Sequence, residues 1–138
     1  MKNKRTALTV FLLSLVLVLG MVMSASAAEV TPYYSYTDDV AASLRISGGQ
    51  ATCGGSVSAM NPSNKCSVTA TLKRQEGSSW VTVSGATWSG SGTGSAFASG
   101  TKSVSSGYSY RVFVTGKVMT PSGTLLETVT VQSKIVAY

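Results

Sequence analysis

Between Val104 and Val114 the chain reads VSSGYSYRVFV, and its side chains sort by twos. Tyr108, Tyr110, Val112 and Val114 fall on one face, while Ser109, Arg111, Phe113 and Thr115 fall on the other. A period of two in a stretch rich in β-branched and aromatic residues predicts a β-strand with one buried side. The polar turn Ser105-Ser106-Gly107 feeds it, and its apolar face calls for a second layer to cover it. This is the central strand of a small sandwich.

The same alternation recurs on both sides. Val40–Ser47 aligns Val40, Ala42, Leu44 and Ile46, and Gly48-Gly49 turns the chain. Ala51–Ala59 aligns Ala51, Cys53, Val57 and Ala59, followed by the turn cluster Asn61-Pro62-Ser63-Asn64. Cys66, Val68, Ala70 and Leu72 point inward, with Ser67, Thr69, Thr71 and Lys73 facing water. Gln75–Ser79 turns, Trp80–Ser84 reads as a short strand, and the Gly/Ser/Thr-rich Gly85–Ser95, which contains Trp88, reads as a flexible loop. Phe97–Val104 is a further strand, the central strand runs to about Met119, and Leu125–Tyr138 closes the domain. Helical periodicity is absent after the N-terminal segment. Seven short strands over about 100 residues predict an all-β, seven-stranded antiparallel immunoglobulin-like sandwich spanning residues 40–138.

The central strand also carries a resemblance. Val104-Ser105-Ser106-Gly107-Tyr108-Ser109-Tyr110-Arg111-Val112 resembles the E–F corner of fibronectin type III and related immunoglobulin-like domains: an apolar residue, a short polar turn with Gly, then Tyr-x-Val. The resemblance implies that Tyr110 is a tyrosine corner, its hydroxyl bonded to the backbone a few residues upstream. One departure stands out: fibronectin type III domains usually carry a Trp in the second strand, and ATCGGSVSA has none. Over Ala41–Tyr138 the chain is also similar to small secreted β-sandwich proteins of Gram-positive bacteria, which implies a shape and an address but no activity.

The N-terminus has a different character. Lys2, Lys4 and Arg5 precede the apolar run Ala7–Met23, and Ala25-Ser26-Ala27-Ala28 follows. A basic start, an apolar stretch and a small-residue A-x-A site predict a secretory signal peptide over residues 1–27, cleaved after Ala27 or else after Ala28. The rival reading is an uncleaved membrane anchor. Residues 28–39 read as a loosely ordered polar-aromatic arm. The expected product is secreted, without a membrane span, and released or loosely associated with the cell wall. Cleavage leaves 8 basic and 5 acidic residues, a net charge of +3. The basic residues are scattered in sequence, which argues against a nucleic-acid partner and leaves mild attraction to an anionic wall or membrane surface.

Two cysteines, Cys53 and Cys66, in an exported chain suggest a disulfide. Geometry argues the other way. If each begins its own strand of a hairpin, six residues of strand, about 20 Å, separate them, whereas a disulfide needs Cα atoms within about 7 Å. A bonded pair and two free thiols both stand. Two Cys without His cannot fill a zinc site.

The composition excludes much chemistry. There is no His, which removes Ser-His-Asp and Cys-His catalysis. The acids Glu29, Asp38, Asp39, Glu76 and Glu127 fall in the arm, in turns or at strand ends, as solvated charges do, and show no glycosidase-like pairing. Asp38-Asp39 supplies too few ligands for Ca²⁺, and SGSGTGSA lacks the Lys-Ser/Thr and helix of a phosphate loop. No enzyme activity, metal or cofactor is expected. Trp80, Trp88 and Phe113 are the residues with binding character: Trp can stack on sugar rings, or it can cover the core. The expected function is a secreted, non-catalytic binding or adhesion module for a glycan or a protein. The alternative is an exported effector, such as a bacteriocin-like toxin or a signal, acting on neighbouring cell envelopes.

Overall fold

The computed structural model describes residues 32–138. The signal-peptide reading, its cleavage site and Glu29 lie outside the described residues. Eight strands are present among them: β1 (Thr37–Ser47), β2 (Gln50–Ala59), β3 (Lys65–Glu76), β4 (Ser79–Thr93), β5 (Ser95–Ser103), β6 (Ser109–Met119), β7 (Leu125–Gln132) and β8 (Val136–Ala137). They form two antiparallel sheets. One has the order β1-β2-β5; the other has the order β4-β3-β6-β7, with β8 also paired to β6.

The alternation in the sequence becomes the inner faces. Tyr110, Val112, Val114 and Val118 of β6 meet Val68 and Leu72 of β3, all at most 1% exposed. Across the layer gap stand small residues, Ala51, Cys53, Val57, Ala96 and Ala98. The sheets come close enough that a Cβ on Gly55 would sit 2.7 Å from a Val114 methyl. Burial of each Val or Leu side chain contributes about 1.5–3 kcal/mol.

β1 begins at Thr37, three residues before the strand expected at Val40, and Thr37 is buried. Tyr108 stays outside β6 and is exposed rather than inward. Its ring meets Tyr110 edge-on at 6.5 Å, and the Arg74 guanidinium lies 4.3 Å from its ring centre. The expected final strand is broken at Ser133. The Ser133 hydroxyl accepts the Val112 N–H (2.9 Å) and donates to the Lys134 carbonyl (2.8 Å).

The largest departure is β4. Instead of a short strand and a flexible loop, the strand runs from Ser79 to Thr93. Thr71 pairs with Thr87 and Lys73 with Thr82, so the four residues Val83–Ala86 bulge opposite Leu72 alone. Beyond the bulge, Gly90 and Gly92 occupy inward positions where β4 passes over β5. A Cβ there would collide with the carbonyl oxygens of Phe97 and Ser95. These glycines serve close backbone approach at the edge where the two sheets meet, not mobility.

Candidate binding face

The central strand positions the rest of the larger sheet. The Tyr110 hydroxyl donates to the Ser105 carbonyl (2.8 Å) and accepts the Ser105 N–H (3.2 Å), which ties the start of β6 to the preceding turn. With that end held, odd-numbered residues of β6 face outward, paired with outward residues of β3 and β7. Thr69, Ser89, Thr115 and Thr130 share one cross-strand row; Thr71, Thr87, Phe113 and Gln132 share the next. The Thr69 and Ser89 hydroxyls are 3.1 Å apart, and those of Thr71 and Thr87 are 3.3 Å apart. Such cross-strand pairs each contribute roughly 0.2–1 kcal/mol and leave lone pairs for a ligand.

One end of this hydroxyl-lined surface is aromatic. The Trp80 and Phe113 rings pack at 5.9 Å between centroids, tilted by 59°. The Lys73 ammonium lies 4.5 Å from the centre of the Phe113 ring, a cation–π contact. Arg111, directly opposite Lys73 in the β3–β6 register, donates from Nε to the Ser133 carbonyl at 2.7 Å. Trp80 and Phe113 are both half-buried on the outer surface.

Trp88 does not join them. The bulge at Val83–Ala86 shifts the alternation of β4 by one, so Thr87 faces out and Trp88 faces in. Trp88 packs at the margin of the core, with its indole directly over Gly100, where any Cβ would overlap the ring. Of the three aromatic candidates, the fold therefore brings two together and assigns the third to packing. The contact of Lys73 with Phe113 and its pairing with Arg111 have no local signal in the sequence. Alternation puts Lys73 and Arg111 each on an outer face, but nothing local indicates that β3 and β6 pair with Lys73 opposite Arg111.

The two thiols take no part in this face. Cys53 and Cys66 are free and buried. They sit in different sheets, Cys53 beside Gly100 and Cys66 beside Val118, near opposite ends of the sandwich. The disulfide alternative is thereby corrected: strand length keeps the sulfurs apart. Burial pushes the Cys53 thiol up to about 11. Burial also raises Cys66, partly opposed by a hydrogen bond with the Ala59 backbone. Neither is a thiolate nucleophile at neutral pH.

Glu127 is not a free surface charge. Its carboxylate accepts the N–H groups of Ser35 (3.0 Å), Tyr36 (3.1 Å) and Thr37 (2.8 Å), and the Thr37 hydroxyl (2.7 Å). Partial burial alone would raise its pKa, but these bonds to the charged form outweigh it and hold the carboxyl below its ordinary value. The last residues of the expected loose arm are thus fastened to β7. Beside them lies an open hollow of about 410 Å³ lined by Ser35, Tyr36, Met60, Asn61, Asn64 and Leu126, without a charged group.

Among the described residues, no group of three or more His, Cys, Asp or Glu is placed to hold a metal ion. No helix among them is long and apolar enough to cross a membrane. No protein-family model, curated protein or solved structure matches the chain.

Proposed function

We propose that the protein is an exported, non-catalytic binding module of the fibronectin type III-like, immunoglobulin-like kind. It holds an extracellular glycan or protein on the outer face of its larger sheet. The observation that carries this reading is the Trp80–Phe113 pair: two large rings on a hydroxyl-rich surface, neither of them part of the core cluster. Aromatic side chains are common binding hot spots, and here their packing role is minor. Sheet orders β1-β2-β5 and β4-β3-β6-β7, together with the Tyr110–Ser105 bonds, support the immunoglobulin-like assignment. The basic, apolar and A-x-A segments of residues 1–28 support export.

A non-catalytic role is supported by the absence of His and by the dispersal of the acids. Glu76 is engaged by Arg74, Glu127 holds the arm, and Asp38 and Asp39 lie on β1. The test is a glycan-array and protein pull-down screen with the secreted protein. Trp80→Ala and Phe113→Ala are each expected to weaken the captured ligand at least tenfold, while Phe97→Ala, on the other sheet, leaves it unchanged. Equal binding by Trp80→Ala and the parent protein would remove this face from consideration. The mature N-terminus, read by mass spectrometry, is expected at Ala28 or Glu29.

A further inference from the structure

Resting on that reading of the face, we propose that its ligand is an anionic polysaccharide: a linear chain of sugar rings bearing carboxylate, sulfate or phosphate groups, laid along β3 and β6. The basic residues, scattered in sequence, are gathered by the fold. Strand register places Lys65, Lys73, Arg111 and Lys117 all at outward positions of the larger sheet. They are four of the eight basic residues in the described region. None of its four carboxylates shares that surface. Glu76 ends β3 in an ion pair with Arg74, Glu127 is turned to the arm, and Asp38 and Asp39 belong to the other sheet.

The cations form two groups. Lys73 and Arg111 are directly opposite one another. Like charges so placed are destabilising, and no carboxylate among the described residues answers them. A ligand anion between them relieves that repulsion. Lys65 and Lys117 occupy adjacent rows at the far end, both exposed. Arg111 and Lys117 are six residues apart on one strand, about 20 Å. That exceeds a Debye length of about 8 Å at physiological salt, so the two groups read separate charges on an extended polymer, not one small ion.

Between them lie the hydroxyls of Thr69, Thr115 and Ser89, which match sugar hydroxyls, and at the Lys73 end lie Trp80 and Phe113, which match the apolar face of a sugar ring. Single-stranded nucleic acid is held by aromatic platforms under successive bases. Here the rings sit at one end and hydroxyls fill the remainder, which favours sugar.

The test uses the full secreted protein with paired polymers: polygalacturonate against its carboxyl-reduced form, dextran sulfate against dextran, and a phosphomannan against mannan, with poly(dT) as a further arm. At least one anionic polysaccharide is expected to bind at least tenfold more tightly than its neutral counterpart and than poly(dT), with affinity falling as salt rises. The arm that binds identifies the anion. Lys73→Gln/Arg111→Gln is expected to lose at least tenfold. Arg111 also holds the Ser133 carbonyl, so Lys65→Gln/Lys117→Gln, which alters two exposed side chains, provides a fold-neutral second variant with an expected loss of at least threefold. The charge-matched control Arg45→Gln/Lys102→Gln is expected to bind as the parent.

Binding of neutral glycans equal to that of anionic ones, still dependent on Trp80, would overturn the anionic assignment and leave the face intact. Binding of poly(dT) as tight as any polysaccharide would overturn it in favour of nucleic acid. Capture of no polysaccharide would overturn it outright. Loss of polyanion binding in the lysine variants with none in Trp80→Ala would instead remove the aromatic pair from the site.

Discussion

At the scale of single residues, similar side chains do different work according to the face they occupy. Trp88 covers Gly100 at the core margin, while Trp80 leans on Phe113 outside. Trp88→Ala is therefore expected to lower unfolding stability by about 2 kcal/mol, less than for a wholly buried ring, while Trp80→Ala costs under about 1 kcal/mol. Urea denaturation followed by far-ultraviolet circular dichroism distinguishes the two. Tyr110→Phe keeps the ring and removes both bonds to Ser105, with an expected cost of about 1–2 kcal/mol by the same measurement. The tyrosine's role was legible because its pattern is local: Tyr110 and Ser105 are five residues apart. Lys73 opposite Arg111 was not, because their meeting depends on a pairing between strands 38 positions apart in the chain.

At the scale of elements, β4 shows where alternation stops being a guide. Trp80 and Trp88 are eight residues apart, an even number, and an uninterrupted strand would point them the same way. The bulge at Val83–Ala86 reverses this, and its trace in the sequence is slight: Gly85, whose φ of 67° lies in the left-handed region. From composition alone the glycines after it predict flexibility, because composition cannot distinguish a mobile loop from a strand pressed against another backbone. The distinction is measurable. A loop would accept Gly90→Ala with little effect. In the observed packing, the added methyl meets the Phe97 carbonyl, and an overpacking loss of about 1–3 kcal/mol is expected, with faster amide exchange in β4 and β5. The inward rows of β1, β2, β3 and β6 were readable because no bulge interrupts them within the core.

At the scale of the whole molecule, charge and edge closure depend on the assembled fold. The arm is fastened through Glu127, whose carboxyl is held below its ordinary value. The unfolded chain takes up this proton near the usual value of about 4.3, before the native state does. Its stabilising effect is thus complete above that pH and is lost as pH falls through the native value. Urea midpoints are expected to fall on acidification through and below the ordinary carboxylate range. Glu127→Gln is expected to lower the midpoint at pH 7 and to flatten that acid dependence. A variant with the parent's full acid slope would show that the arm is held by other groups.

The separation of Cys53 and Cys66 reaches further than their local surroundings. With the sulfurs near opposite ends of different layers, no covalent staple joins the sheets, and maturation needs neither an oxidant nor a disulfide isomerase. The sandwich is therefore expected to assemble as readily in a reducing cytosol as outside the cell. Dithiothreitol should leave its melting temperature where it was, and Ellman's reagent should find no reactive sulfur until the protein is unfolded.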